Sequence, residues 1–149
     1  MNALKYDVVI IGGGPAGMAA ALSARKQGAS TVILERDVRL GGILNQCIHQ
    51  GFGLHYFGEE MTGPEYANRF RGMVEKEDIT VMLESMVLSI DRNKVVSVLS
   101  PTAGFCKIQA GAIVLAMGCR ERTAGAIALP GTRPAGIYTA GMAQKICNL

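Results

Sequence analysis

The sequence predicts an α/β fold around a parallel β-sheet, and three stretches carry that prediction. Tyr6-Asp7-Val8-Val9-Ile10-Ile11 is a mostly β-branched run that enters three consecutive glycines, Gly12, Gly13 and Gly14. A small-residue helical pattern follows, and a second apolar run, Thr31-Val32-Ile33-Leu34, ends in the acid Glu35. A third run, Ala112-Ile113-Val114-Leu115-Ala116-Met117, again stops at a glycine, Gly118. Runs this continuous in apolar residues suit strands covered on both faces, the usual condition of parallel sheets.

Composition narrows the class further. The chain has 149 residues, one domain's worth, of which 49% are hydrophobic and 18% charged. Its 19 glycines sit between apolar runs and mark turns. The net charge of +3 forms no basic stripe, and aromatics are only 5% with no Trp, so a nucleic-acid partner is not expected. Cys47, Cys106, Cys119 and Cys147 are scattered, which argues against a disulfide framework. With two histidines and isolated thiols there is no metal-ligand spacing, and no metal is expected. Lys5 before an apolar run imitates a signal peptide, but Asp7 and the glycines interrupt it. No run approaches the roughly 18 apolar residues of a membrane span. A cytoplasmic location is the resulting expectation.

In chain order, residues 6–12 read as the first strand. Pro15 suits a first helical turn, where its missing N–H has no helical partner to lose. Residues 16–27 form the helix, rich in Ala and closed by Gly28. Residues 31–35 are the second strand. Residues 43–55 mix Gly, His and amides with poor periodicity and read as an irregular helical stretch and a loop. Thr62 and Glu65 make a capping box that starts a helix to about residue 76, with Tyr66, Phe70, Met73 and Val74 on one face. Residues 79–83 are a third parallel strand. Three short strands, 86–91, 95–100 and 105–109, read as an antiparallel meander, and 112–118 as a separate buried strand. Residues 140–149 read as a last helix.

The first turn has the spacing G-x-G-x-x-G, and each glycine has a physical task. Gly12 permits the turn out of the strand, Gly14 lets backbone approach a diphosphate, and Gly17 lets the helix lie close to the strand. The helix start at Pro15 and Ala16 then offers its N-terminus to the anion. Glu35, 18 residues after Gly17, falls where a carboxylate accepts hydrogen bonds from ribose hydroxyls. Strand, turn, helix and acid together point to a dinucleotide site.

With these motifs in place, the chain resembles the N-terminal FAD-binding part of the two-dinucleotide-binding-domain flavoproteins, the pyridine nucleotide–disulfide oxidoreductase class. The resemblance rests on Gly12 through Gly17 with Glu35, on the double glycine Gly41-Gly42, on Val87-x-x-Ile90-Asp91, and on Ala116-Met117-Gly118. The last resembles the family's Ala-Thr-Gly with Met117 in place of Thr. The resemblance implies a Rossmann-like parallel sheet with helices and an antiparallel β-meander. It also implies FAD as cofactor, the backbone of Val87 facing the adenine, and the segment around Gly118 closing over the cofactor. Disulfide reductases of the class carry a cysteine pair after the double glycine, whereas here Cys47 stands alone in Ile43-Leu44-Asn45-Gln46-Cys47-Ile48-His49. A dithiol relay is therefore not expected. Residues 42–66 resemble a subgroup of FAD-dependent oxidoreductases found with glycerol-3-phosphate or amine/opine dehydrogenases.

The expected cofactor-binding residues are Gly12, Gly14, Pro15, Ala16, Glu35, Arg36, Gly42, Val87, Ala116 and Gly118. No catalytic residue is nominated. Cys47 reads as a small buried hydrophobe, while His49 is balanced between structure and function. Arg120 and Arg122 are candidate phosphate or domain contacts. Residues 1–149 are expected to form one FAD-binding domain, cut before an NAD(P)-binding domain. The intact protein is expected to be an FAD-dependent NAD(P)H oxidoreductase with a small-molecule or protein electron partner, as a homo- or hetero-oligomer. Two other classes fit the glycine turn: a non-catalytic nucleotide-binding or interaction module, and a single-domain NAD-dependent dehydrogenase.

Overall fold

The computed structural model describes residues 4–149, so the first three residues of the expected domain lie outside the described residues. Its strands are β1 (Leu4–Ile11), β2 (Thr31–Leu34), β3 (Ile79–Met82), β4 (Met86–Ile90), β5 (Val95–Ser100) and β6 (Gly104–Leu115). Its α-helices are α1 (Pro15–Lys26), α2 (Leu54–Phe57), α3 (Gly63–Glu75) and α4 (Ala140–Asn148), with a 3-10 helix at Gly42–Gln46. The strands form one six-stranded sheet in the order β3-β2-β1-β6-β5-β4. The pairs β3–β2, β2–β1 and β1–β6 are parallel, whereas β6–β5 and β5–β4 are antiparallel.

Alternation along the strands sends neighbouring side chains into two cores. Val9, Ile11, Val32 and Leu34 pack with Val96 and Val98 of β5 and Ile108 and Ala110 of β6. Ile10 and Ile33, pointing the other way, pack with Met18 and Ala21 of α1 and Phe70 and Val74 of α3. The parallel strands are thus covered by the meander on one face and by α1 and α3 on the other. None of the helices is long and apolar enough to cross a membrane, among the described residues.

One expected boundary is corrected. The separate strands expected over 105–109 and 112–118 are a single strand, Gly104–Leu115. Its first half pairs with β5 and its second half with β1, with Ile108 and Gln109 paired on both sides. Gly111, which lies between the two expected strands, is a point of close approach. A Cβ there would lie 2.7 Å from the Asp7 carbonyl oxygen of β1. The strand also ends three residues before Gly118, so Ala116 to Gly118 are loop.

α1 ends where expected. The Gly28 N–H donates to the Arg25 carbonyl at 2.8 Å, with Gly28 in a left-handed conformation at φ 82°. The capping box at α3 is present. The Thr62 N–H and hydroxyl donate to the Glu65 carboxylate at 2.8 and 2.7 Å, and the Glu65 N–H donates to Thr62 Oγ1. These two donors, the backbone N–H first, hold the Glu65 carboxyl below its ordinary value of 4.5.

Two outcomes follow for stability. Phe70→Ala, which empties a fully buried position between α3 and the sheet, is expected to cost about 3–5 kcal/mol in denaturant unfolding. A carboxyl with a lowered folded-state pKa contributes stability that is present above its unfolded pKa and lost as pH falls through the folded one. Glu65 therefore supports α3 at neutral pH and ceases to do so in acid. Chemical denaturation across acidic pH is expected to show a shallower fall for Glu65→Gln than for the parent.

Candidate functional site

The carboxyl ends of β1, β2 and β6 lie side by side, the edge at which open α/β sheets bind ligands. At the end of β1, Gly12 adopts φ 105°, a conformation that side chains resist. Its N–H donates to the Leu34 carbonyl of β2 at 2.9 Å, while the Ala116 N–H donates to the Ile11 carbonyl at 2.8 Å. A Cβ on Gly12 would lie 2.4 Å from the Ala116 carbonyl oxygen. The three strand ends are therefore locked together with no room for a side chain at Gly12.

Gly17 has the role assigned to it, since a Cβ there would lie 1.9 Å from the Gly12 carbonyl oxygen. Gly14 differs. It is the N-cap of α1 with φ −73°, and a Cβ there would meet nothing within 4 Å. Among the described residues no side chain caps α1, and Pro15 occupies its first turn. The open space beside Gly14 is thus bounded by an uncapped helix N-terminus, which favours an anion.

Glu35 is buried at the end of β2, 6% exposed. Its Oε2 accepts from the Gly13 N–H at 2.7 Å and its Oε1 from the Asp37 N–H at 2.9 Å. An ionised carboxylate has about four acceptor positions, so acceptor capacity remains for hydroxyls. The Glu35 N–H donates to the Met82 carbonyl of β3, and its own carbonyl accepts from the Ser85 N–H at 2.8 Å. That second bond brings the start of β4 against the end of β2. Val87, two residues on, is half-buried and packs on the core beneath the meander. Arg36 is exposed beside Glu35.

The second double glycine lies directly on the first turn. The Gly41 N–H donates to the Gly13 carbonyl at 2.8 Å. Gly42 has φ 53°, and a Cβ on it would lie 3.3 Å from the Gly14 Cα. Ala116 packs at the edge of the helix-side core, and Gly118 is exposed with φ 71°. Gly12, Gly14, Pro15, Glu35, Gly42 and Ala116 are therefore brought together. Ala16 starts α1 beside them, while Gly118 and Arg36 stand at the exposed margin.

Several residues of this arrangement were missed from sequence. Gly13 ties Glu35 and Gly41 to the turn, and a Cβ there would lie 2.3 Å from Leu40 Cδ2. The uninterrupted triple glycine was the available signal. Arg71 of α3 donates to the Leu40 carbonyl at 2.9 Å and to Asn45 Oδ1 at 3.2 Å, bracing the loop that carries Gly41 and Gly42. Glu121, between the two nominated arginines, accepts from the Thr139 hydroxyl and the Gly141 N–H at the start of α4. Those donors, the Thr139 hydroxyl first, hold its carboxyl below the ordinary value. Arg120 and Arg122 are exposed.

Residues 43–55 contain the 3-10 helix, a loop and the start of α2, as their poor periodicity suggested. Cys47 is half-buried and structural in its contacts, its carbonyl accepting from the Gly63 N–H at 2.9 Å. His49 is exposed, with a ring nitrogen 2.8 Å from the Gln50 carbonyl and its ring 5.4 Å from that of Phe52. All four cysteines are free. No group of three His, Cys, Asp or Glu side chains is placed to hold a metal ion, among the described residues. The open space at Gly14 and the remaining acceptor positions of Glu35 are of the kind a dinucleotide would need.

The profile of a family described as pyridine nucleotide-disulphide oxidoreductase matches residues 6–145. The chain belongs to that family. It is 29% identical over 147 residues to the HcnB subunit of hydrogen cyanide synthase from Pseudomonas protegens, covering 95% of this chain and 30% of the relative. It is 32% identical over 148 residues to one of the subunits of opine oxidase from Rhizobium meliloti, covering 93% of this chain and 27% of the relative. The chain thus spans less than a third of the length of these two relatives. Among solved structures, thioredoxin reductase from Streptococcus pyogenes superposes with a TM-score of 0.66 at 30% identity, over 82% of this chain and 38% of that one. L-proline dehydrogenase from P. horikoshii gives 0.67 at 27% identity, over 78% and 23%. Members of this family bind FAD, and the chain is an FAD-binding portion of a family member.

Two alanine substitutions separate folding from binding at the first turn. Gly17→Ala is expected to destabilise the fold by about 1–3 kcal/mol, because its methyl meets backbone. Gly14→Ala is expected to leave unfolding within about 0.5 kcal/mol of the parent and to weaken FAD at least about tenfold. Denaturant titration of the apo-proteins and fluorescence titration with FAD check the pair.

Proposed function

We propose that residues 1–149 form one FAD-binding domain of a longer FAD-dependent, NAD(P)-linked oxidoreductase. The observation that carries this reading is the convergence of two glycine turns on one uncapped helix N-terminus, with a buried acid beside it. In this reading Gly12 shapes the turn, and Gly14, Pro15 and Ala16 receive the diphosphate at the start of α1. Glu35 accepts from the adenosine ribose, and Arg36 lies over the adenosine side from the exposed margin. Gly42 keeps side chains clear of the cofactor where the two turns meet. Val87 offers its backbone to the adenine, while Ala116 and Gly118 close the site from the end of β6.

FAD, when bound, supplies two-electron chemistry between a nicotinamide and a second electron partner. The chain's part is to bind and orient, and no side chain is assigned a proton-transfer role. A second, NAD(P)-binding domain belongs with this reading, supported by the short span of the chain on its relatives. A small molecule or a protein is the second electron partner. Two relatives are named as parts of larger enzymes, which supports assembly with other chains as a homo- or hetero-oligomer. A cytoplasmic location goes with this reading.

Titrating the purified chain with FAD and, separately, with NAD tests the assignment through flavin absorbance and fluorescence. Saturable FAD binding that excess NAD does not reverse is the expected result. NAD binding with no affinity for FAD would overturn the reading in favour of a single-domain dehydrogenase.

A further inference from the structure

A cavity of about 440 Å³ opens to solvent beside the start of α1, and the glycine turns do not account for it. Pro15 and Leu44 form its wall toward those turns, while Glu35 and Val87, assigned to the adenosine end, do not line it. The opposite wall carries three aromatic rings, Phe52, Tyr56 and Tyr66. These belong with Phe57 and Phe70 to a single ring cluster, in a chain that has only four Phe and four Tyr. The chain thus concentrates its few aromatics at this one place. Phe70 is buried and serves the core, but Tyr56 is 60% exposed, more than a core role requires.

Besides the tyrosine hydroxyls, the polar side chains at the cavity are His55 and Glu60, and no Lys or Arg lines it among the described residues. Glu60 is exposed and has no ion pair among the described residues, whereas its neighbour Glu59 is paired with Arg69. The Arg69 guanidinium also sits 5.1 Å from the centre of the Phe57 ring, so this cluster already attracts one cation through its π-faces. Rings together with a single unpaired carboxylate favour a positive ligand with apolar bulk and oppose an anion.

We propose that this cavity binds a small protonated amine, with the alkyl body against Phe52, Tyr56 and Tyr66 and the ammonium group at Glu60. The inference rests on the FAD reading for its place beside the cofactor, and on the cavity's own residues for its chemistry.

The test is a calorimetric titration of the chain, with and without saturating FAD, using cyclohexylamine as probe. Cyclohexanol and cyclohexanecarboxylate serve as its neutral and anionic counterparts. The amine is expected to bind at least about tenfold more tightly than either. Glu60→Gln and Tyr56→Leu, both at exposed positions, are each expected to weaken the amine at least about fivefold, while Tyr56→Phe retains it. Equal binding of the three probes, preference for the alcohol or acid, or no saturable amine binding would overturn the proposal. FAD binding read on the same samples keeps the two readings apart. FAD binding without amine selectivity defeats this inference alone, and amine selectivity without FAD binding defeats the cofactor assignment.

Discussion

The hydrogen bond from the Gly13 N–H to the buried Glu35 carboxylate, 2.7 Å long, is the contact on which the site depends. It fixes the end of β2 to the turn that follows β1, so the acid and the open space at Gly14 keep a set separation. A buried carboxylate needs such donors, since burial without them disfavours its charge. Glu35 receives a second from Asp37 and leaves acceptor positions free. The same Gly13 accepts from Gly41, so one residue joins the acid, the first turn and the second double glycine. A side chain at Gly13 would strike both Leu40 and Glu35.

That junction is held in turn by layers built on strand alternation. The inner residues of β1 and β2 divide between a meander-side core and a helix-side core. β6 makes the division possible, pairing antiparallel with β5 and then parallel with β1 along one continuous strand. Its second half carries Ala116 to the site, and its first half carries the meander over the opposite face of the sheet. Arg71 supplies the matching restraint from the helix side, where it holds the Leu40 carbonyl and Asn45. The turns at the site are therefore gripped from both layers.

Much of this was legible because local chemistry and tertiary role coincide. The continuous apolar runs of β1 and β2 are strands because both their faces are covered, and Thr62 with Glu65 starts α3 through bonds made within four residues. The turn at Gly12 and the close packing at Gly17 were legible, since a strand-to-helix turn of that spacing dictates close backbone approach. The separation expected between residues 109 and 112 was wrong for a physical reason. A glycine that permits contact with a neighbouring strand looks the same in sequence as one that ends a strand. Arg71 and Glu121 were illegible because their partners lie 26 to 31 and 18 to 20 residues away, and no local pattern announces such pairs. Gly13 was overlooked because the G-x-G-x-x-G pattern treats its position as free, although here its N–H does the holding.

The family's name speaks of disulfides, and the residues after the double glycine do not. Thiol–disulfide exchange needs a thiolate placed to attack a second sulfur. Between Gly42 and Tyr66 the sequence supplies Cys47 alone, half-buried with its backbone tied to Gly63. In the same stretch it supplies Phe52, Tyr56 and Glu60, which wall a cavity reaching Pro15 and Leu44. The segment thus has groups suited to hold an apolar, positively charged molecule, and lacks those that would exchange a disulfide. Keeping the glycine turns while changing this one stretch leaves the geometry at Gly14 and Glu35 intact, because those residues are braced by Gly13 and Arg71 and not by residues 47–60. A scaffold built this way can keep its cofactor chemistry and change what comes to meet it.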